Sequence, residues 1–264
     1  MRRRTVALAA AGPAGGDDKI DSLQRGLEVL RCFQPGEGLL AVADIARRLA
    51  LPKPTTRRLL DTLAQHGFVL RSPGGESYGL HVASFVVGQA VLNGSPMVRQ
   101  AQPLLQGLAD RFAAHALLCV GDRRDMLVLA HRAAPGAPAW SVGAGLRLPI
   151  ADTAVGHAWL WAQPATVQSA WMAHLREAGS GGAAEVWKAF HTIEASGTCE
   201  SVRPERRQSL LLAAPVVWRD GATAVLACAC GADAEAAAQL RPEVSRALVE
   251  AAAVLRDQVG RSGA

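Results

Sequence analysis

Residues 39–80 read LLAVADIARRLALPKPTTRRLLDTLAQHGFVLRSPGGESYGL, and the order of elements in this stretch decides the fold of the first third of the chain. Val42, Ile45, Ala46 and Leu49 recur at i, i+3, i+4 and i+7. This predicts a short helix over 42–49 with one apolar stripe and with Arg47 and Arg48 outside. Residues 50–53 read as a turn. Pro54 falls in the first turn of the next helix, where its missing N–H would have had no partner anyway. Leu59, Leu60 and Leu63 anchor that second helix, and Gly67 supplies a left-handed stop. Phe68 to Leu80 then read as two short strands around Pro73-Gly74-Gly75. Helix, turn, helix and hairpin in this order make a winged helix-turn-helix, whose second helix is the one that enters a major groove.

The outer arc of that helix suits a duplex. A helix N-terminus offers free N–H groups and partial positive charge to a phosphate. Lys53, Arg57 and Arg58 add full charges, while Thr55, Thr56 and Thr62 offer hydroxyls for phosphates or base edges; Asp61 is expected on the same arc. Arg71 on the hairpin is placed to meet the backbone beside the groove. These seven, Lys53, Thr55, Thr56, Arg57, Arg58, Thr62 and Arg71, are the candidate DNA contacts. The competing reading is a small helical bundle with a solvated basic face. The order and lengths of the elements argue against it.

Charge agrees with a basic module joined to something near neutral. Residues 19–82 carry nine Lys+Arg against six Asp+Glu, whereas residues 83–264 carry sixteen against fifteen. A chain of 264 residues is long enough for one or two domains. The five cysteines, at 32, 119, 199, 228 and 230, are odd in number and form no C-x-x-C pair, so a reducing cytoplasm is expected rather than a disulfide framework. The opening MRRRTVALAAAGPAGG has a basic run but an apolar run of only six residues, so residues 1–18 are expected to be a disordered tail. No stretch approaches a membrane span.

The remaining segments fall around this module. Asp21-Ser22 is expected to cap a helix over 23–33 with Leu23, Leu27 and Leu30 on one face. An apolar helix over 81–92 leaves the module, and Asn93-Gly94-Ser95-Pro96 breaks it. A helix over 97–114 follows, then strands at 116–120, 126–131 and 139–142. Helices are expected near 153–162, 167–177 and 185–196. Strands 209–218 and 223–230 flank an Arg219-Asp220-Gly221 turn, and a last helix covers 241–259. The expected class is α+β, divided into a DNA-binding domain over 19–82, a linker helix over 83–95 and a second domain over 96–264.

Five segments in register resemble the isocitrate-lyase-regulator (IclR) family: Asp21 to Leu30 (DSLQRGLEVL), Leu51 to Leu60, Tyr78-Gly79-Leu80, Leu148 to Ala158, and Ala213-Ala214-Pro215-Val216 with Asp220-Gly221. The resemblance covers residues 19–262. It implies a GAF-like α/β effector-binding domain with a curved antiparallel sheet at the C-terminus. It also implies a homodimer or dimer of dimers on a palindromic operator, and a small-molecule effector that changes operator binding or RNA polymerase recruitment. By that resemblance the effector sits against Thr153, Ala154, Val155 and Gly156, with Asp152 as a helix cap and with Trp140, Ser201, Leu211, Cys228 and Cys230 as further lining. Two cysteines stand where relatives often carry serines, and His157 stands where a lysine is usual. Fewer polar partners and one aromatic wall favour an aromatic or apolar carboxylate over a two- or three-carbon acid. The alternative is that Trp140 and the cysteines are core and the pocket is closed.

Other chemistry is weakly signalled. The seven histidines show no H-x-x-x-H or H-E-x-x-H spacing, and Cys228-x-Cys230 lacks a nearby second pair of ligands, so no metal or cofactor is expected. Trp159, Trp161, Trp171 and Trp187 are read as packing residues. The chain is therefore expected to be no enzyme. The alternative is a small-molecule-converting enzyme with a helical accessory domain, which would need a nucleophile beside a base or paired acids that this sequence does not display.

Overall fold

The structure, a computed structural model, describes residues 20–34, 36–177, 182–200, 209–231 and 233–262. The tail expected over 1–18 lies outside them, as does Ser201. The chain divides at Gly94/Ser95 into two compact units.

The N-terminal unit runs α1 (Asp21–Arg31), β1 (Leu40–Ala41), α2 (Val42–Leu49), α3 (Lys53–Gln65), β2 (Val69–Arg71), β3 (Ser77–Leu80) and α4 (Ala83–Gly94). Val29, Phe33, Leu40, Val42, Ile45, Leu60, Val69 and Tyr78 form its core. Ile45 and Leu60 are fully buried, each contributing about 1.5–3 kcal/mol of transfer free energy. Helix α2 ends on Ala50, a non-glycine at φ 52°, with Leu51 N–H returned to the Ala46 carbonyl at 3.0 Å. At the end of α3, Gly67 takes φ +74° and Phe68 N–H reaches the Leu63 carbonyl at 2.9 Å, so the expected left-handed stop is present. The wing pairs Val69 with Leu80 and Arg71 with Tyr78.

One local expectation fails here, the Asp21-Ser22 cap. Helix α1 begins at Asp21, with Ile20 before it and no side-chain cap; the Asp21 carboxylate instead pairs with Arg25 at 3.4 Å. Leu23 and Leu27 share a face, as expected, but that face is exposed, at 59% and 53%. Arg48 is exposed, as expected, and its guanidinium clasps the Cys32 carbonyl at 2.8 Å and both Glu37 oxygens at 2.9 and 2.7 Å. Strand β1, which pairs Leu40 with Tyr78, was not foreseen because two residues leave no periodicity to read.

The C-terminal unit is a six-stranded antiparallel sheet in the order β6-β5-β4-β9-β8-β7. Its strands are β4 (His115–Asp122), β5 (Asp125–Ala133), β6 (Arg147–Pro149), β7 (Cys199–Glu200), β8 (Ser209–Val217) and β9 (Thr223–Gly231). Helices α5 (Pro96–Phe112) and α9 (Ala234–Ser262) cover one face, and α6 (Ala154–Trp161), α7 (Ala165–Glu177) and α8 (Gly182–Ser196) cover the other. Leu117, Cys119, Val225, Ala227 and Ala213 pack with Val155, Trp159 and Phe190 on the α6 side. Between β4 and β5 the register passes from Leu118↔Ala130 to Cys119↔Val128, leaving Leu129 as an extra residue, a β-bulge.

The strand expected over 139–142 is absent. Trp140 N–H bonds to Pro138 O at 2.8 Å and Val142 N–H to Trp140 O at 2.9 Å, so this backbone closes tight turns. The place beside β5 belongs to β6, which Arg147 fixes through Asp122 at 2.8 Å and Asp125 at 3.0 Å. Helix α9 starts well before residue 241: Asp233 Oδ1 accepts from Ala236 N–H at 2.8 Å, and the helix continues through Pro242.

Candidate functional site

Two surfaces, one in each unit, hold the residues singled out by the sequence. On α3, Lys53, Arg58 and Thr62 are exposed and Thr55 is half-buried; Lys53 and Thr55 lie in the first turn, where N–H groups have no partner within the helix. Thr62 Oγ1 turns back to the Arg58 carbonyl at 2.9 Å. Thr56 must be removed from the set: it is fully buried, and its hydroxyl donates to Pro52 O at 3.1 Å. Asp61 is also turned from the arc, accepting the Tyr78 hydroxyl at 2.6 Å. Burial, and then this bond, hold the Tyr78 phenol above its ordinary pKa.

Arg57 and Arg71 converge on the wing tip. Arg57 donates to the Gly75 carbonyl at 3.2 Å and lies 3.4 Å from Glu76, while Arg71 Nε donates to the same Gly75 carbonyl at 3.1 Å and sits 6.0 Å over the Tyr78 ring. Arg57 thus ties the second helix to the wing. Lys53 and Arg58 are left as exposed cations on the helix face.

In the sheet unit, Thr153 rather than Asp152 caps α6. Its hydroxyl accepts from Gly156 N–H at 3.1 Å and donates to Pro149 O at 2.7 Å. Ala154, Val155 and Gly156 are buried, with Gly156 pressed on the Ile150 backbone. His157 is buried too. Its Nε2 faces the Ala151 carbonyl at 2.8 Å, and burial lowers its pKa, so it is a neutral donor to the loop rather than a group aimed at a ligand.

The expectation that Leu211, Cys228 and Cys230 line one pocket is corrected by the register. Leu211 pairs with Ala229 on the α6 face, so Cys228 and Cys230, paired with Leu212 and Leu210, point to the α5/α9 face. Both are buried; desolvation pushes the Cys228 thiol up to about 12 and also raises Cys230. Among the described residues no group of three or more His, Cys, Asp or Glu could hold a metal ion. Trp159 is buried in the core, with Trp161 and Trp171 packed against it, whereas Trp187 is 48% exposed.

The α6 face holds a constellation that sequence reading missed. His115 Nδ1 and His131 Nε2 are 2.9 Å apart, and His115 Nε2 lies 2.7 Å from the Pro138 carbonyl. The His115 ring stacks on His131 (centroids 5.1 Å apart) and on Trp140 (5.3 Å). A signal existed: a hairpin turning near residues 123–124 brings 115 and 131 together across it. Elsewhere in the unit a cavity of about 390 Å³ lies among Ser196, Pro242, Ser245, Arg246, Val249 and Glu250, touching none of these residues.

The chain thus combines a winged helix-turn-helix with a curled antiparallel sheet flanked by helices on both faces. Residues 22–73 match the IclR helix-turn-helix domain. The whole chain is similar in structure to an IclR family transcriptional regulator from Brucella abortus, at a TM-score of 0.82 and 29% identity over 94% of this chain and 95% of that one. Residues 22–73 thus carry an IclR helix-turn-helix domain. It is 32% identical over 124 residues to the transcriptional repressor IclR of Escherichia coli, across 47% of this chain and 44% of the relative. The matches to these curated relatives span about half of their length. An IclR homologue from Microbacterium hydrocarbonoxydans, complexed with 4-hydroxybenzoate, shares the fold at a TM-score of 0.68 and 19% identity over 91% of this chain and 99% of that one.

Proposed function

We propose that this protein is a sequence-specific DNA-binding transcriptional regulator whose operator binding responds to a small carboxylate. The observation that carries this reading is helix α3, with Lys53, Arg58, Thr55 and Thr62 on its open face beside a wing, inside the segment that matches the IclR helix-turn-helix domain. The domain organisation follows: residues 19–82 read DNA, 83–95 connect, and 96–264 bind the effector. Its setting is the cytoplasm; no helix among the described residues is long and apolar enough to cross a membrane.

The test is fluorescence anisotropy of the full chain on the intergenic duplex beside its own gene against a scrambled duplex, over a salt series. A preference for the native sequence that survives salt supports a specific regulator. Equal, salt-labile binding to both would reduce the module to a nonspecific anchor. RNA polymerase recruitment is the natural output if operator occupancy does not change with effector.

The effector reading rests on the first turn of α6 and on the half-buried Trp140. Together they suit an aromatic acid, the kind of ligand carried by the Microbacterium homologue, and calorimetry should rank benzoate-like above glyoxylate-like acids. A two-fold dimer supplies the two half-sites of a palindrome. Its support is α4, a helix without a single charged residue and with no buried residue. Phe85, Val86, Val87 and Val91 are at least half exposed there, as are Leu23 and Leu27 on α1. Phe85→Glu should shift the protein toward monomer in sedimentation velocity and weaken operator binding by about tenfold or more, since lost pairing halves the sites read together. An unchanged sedimentation coefficient would move the interface elsewhere.

A further inference from the structure

The α6 face of the sheet has a layout that its burial pattern makes visible. His115, Ala229 and Leu211 form one row across β4, β9 and β8. The next row, from β5 to β7, is His131, Leu117, Ala227, Ala213 and Cys199. Three alanines therefore floor the middle of this face. The stacked His131, His115 and Trp140 rings stand on one side of them, and Leu211 stands on the other. Cys199 Sγ, at the far edge, lies 3.3 Å from the carbonyl of Ala154 in the first turn of α6.

Hydrogen-bond logic fixes the protons of the histidine pair. The Pro138 carbonyl can only accept, so His115 carries its proton on Nε2 and presents Nδ1 as a lone pair. His131 must then donate from Nε2. This chain makes the two imidazoles unequal. Adding a proton to His131 at Nδ1 leaves every bond in the chain intact. The ring nitrogen of the pair left open to a further proton is thus Nδ1 of His131.

Resting on the reading that this unit binds a small carboxylate, we infer that His131, oriented by His115 and Trp140, is the effector's anion-binding group, and that it takes up one proton as the carboxylate binds. In the free protein burial, and then His115 and Arg132, hold the His131 pKa below its ordinary value, so the ring is neutral near pH 7. Among the described residues the titratable and charged groups that bear on His131 are those two, His115 on β4 and Arg132 on its own strand; Leu117, Ala227 and Ala213 beside it along the row are apolar, and the Cys199 thiol stands at the row's far end. A bound carboxylate favours the imidazolium and raises the pKa. Between the free and bound pKa values, binding consumes a proton and the Kd rises about tenfold per pH unit. No covalent step is involved. The proton comes from solvent and returns to it on release.

Isothermal titration calorimetry of the full chain with benzoate, 4-hydroxybenzoate and glyoxylate tests this. It should be run at several pH values and in two buffers of different ionisation enthalpy. The expected result is uptake of about one proton per site at pH 7.5, with the affinity falling as pH rises. His131→Gln, which keeps a donor but cannot be charged, should bind with no buffer dependence and a flat pH profile. Binding of any of the three acids without proton uptake by the native protein would overturn this inference while leaving the acid-binding reading standing. Failure of all three to bind at millimolar concentration, even at pH 6, would overturn both.

Discussion

Alanine at position 156 is expected to lower the stability of the C-terminal unit by about 3 kcal/mol, the sum of an overpacking cost of about 1–3 kcal/mol and a lost cap of about 1 kcal/mol. A Cβ there would fall inside the Ile150 carbonyl oxygen and Cα and only 2.6 Å from its carbonyl carbon. All three are backbone atoms, so no side chain can rotate away. Helix α6 would have to lift from the loop, and Thr153 would lose its bonds to Gly156 N–H and Pro149 O together. The helix propensity that alanine gains over glycine, about 1 kcal/mol, has the opposite sign and is the smaller effect. Urea denaturation followed by tryptophan fluorescence reports this unit, because Trp159 is buried against it. A midpoint equal to or above that of the native chain would refute the close approach.

The second large effect concerns DNA. Arg58→Ala should weaken operator binding about 10- to 100-fold and random-duplex binding much less, the pattern of a lost base contact. Lys53→Ala should weaken both equally and reduce the salt dependence by about one counterion. Arg57→Ala should behave differently from either, because Arg57 already bonds Gly75 and faces Glu76. Its loss frees the wing tip from the helix and lowers affinity on every sequence. Anisotropy with native and scrambled duplexes separates the three. Equal losses for Arg58→Ala on both duplexes would make it a phosphate contact instead.

These variants also mark where the sequence was legible. Helix α2 carries a clean apolar stripe, and its bounds at Val42 and Leu49 agree with the periodicity to the residue. The wing and the Gly67 stop were equally plain, because glycines and alternation are local signals. Thr56 was misread although the information was present: it lies one turn before Leu60, so the helical period puts both inward. Cys228 and Cys230 were correctly read as sharing a face. Which face depends on strand parity relative to Leu211, and a single residue of register reverses it. The strand near 139–142 failed because Pro138 and the turns after it consume the backbone donors that a ladder needs. The histidine pair escaped because its members are sixteen residues apart and meet only through the hairpin.

That meeting hangs on Leu129 staying out of the ladder as the extra residue of the bulge in β5. If every residue paired from the hairpin turn, Leu129 included, His131 would face Ala116 and lie on the α5/α9 side, away from His115. Deleting Leu129 would instead close the bulge and leave His131 opposite Leu117, where it is now. A homologous chain could therefore keep both histidines and lose the pair by drawing the bulge into the ladder, with no change of chemistry in either ring. Across such chains, the place of the bulge rather than residue identity would mark which of them can couple ligand to proton.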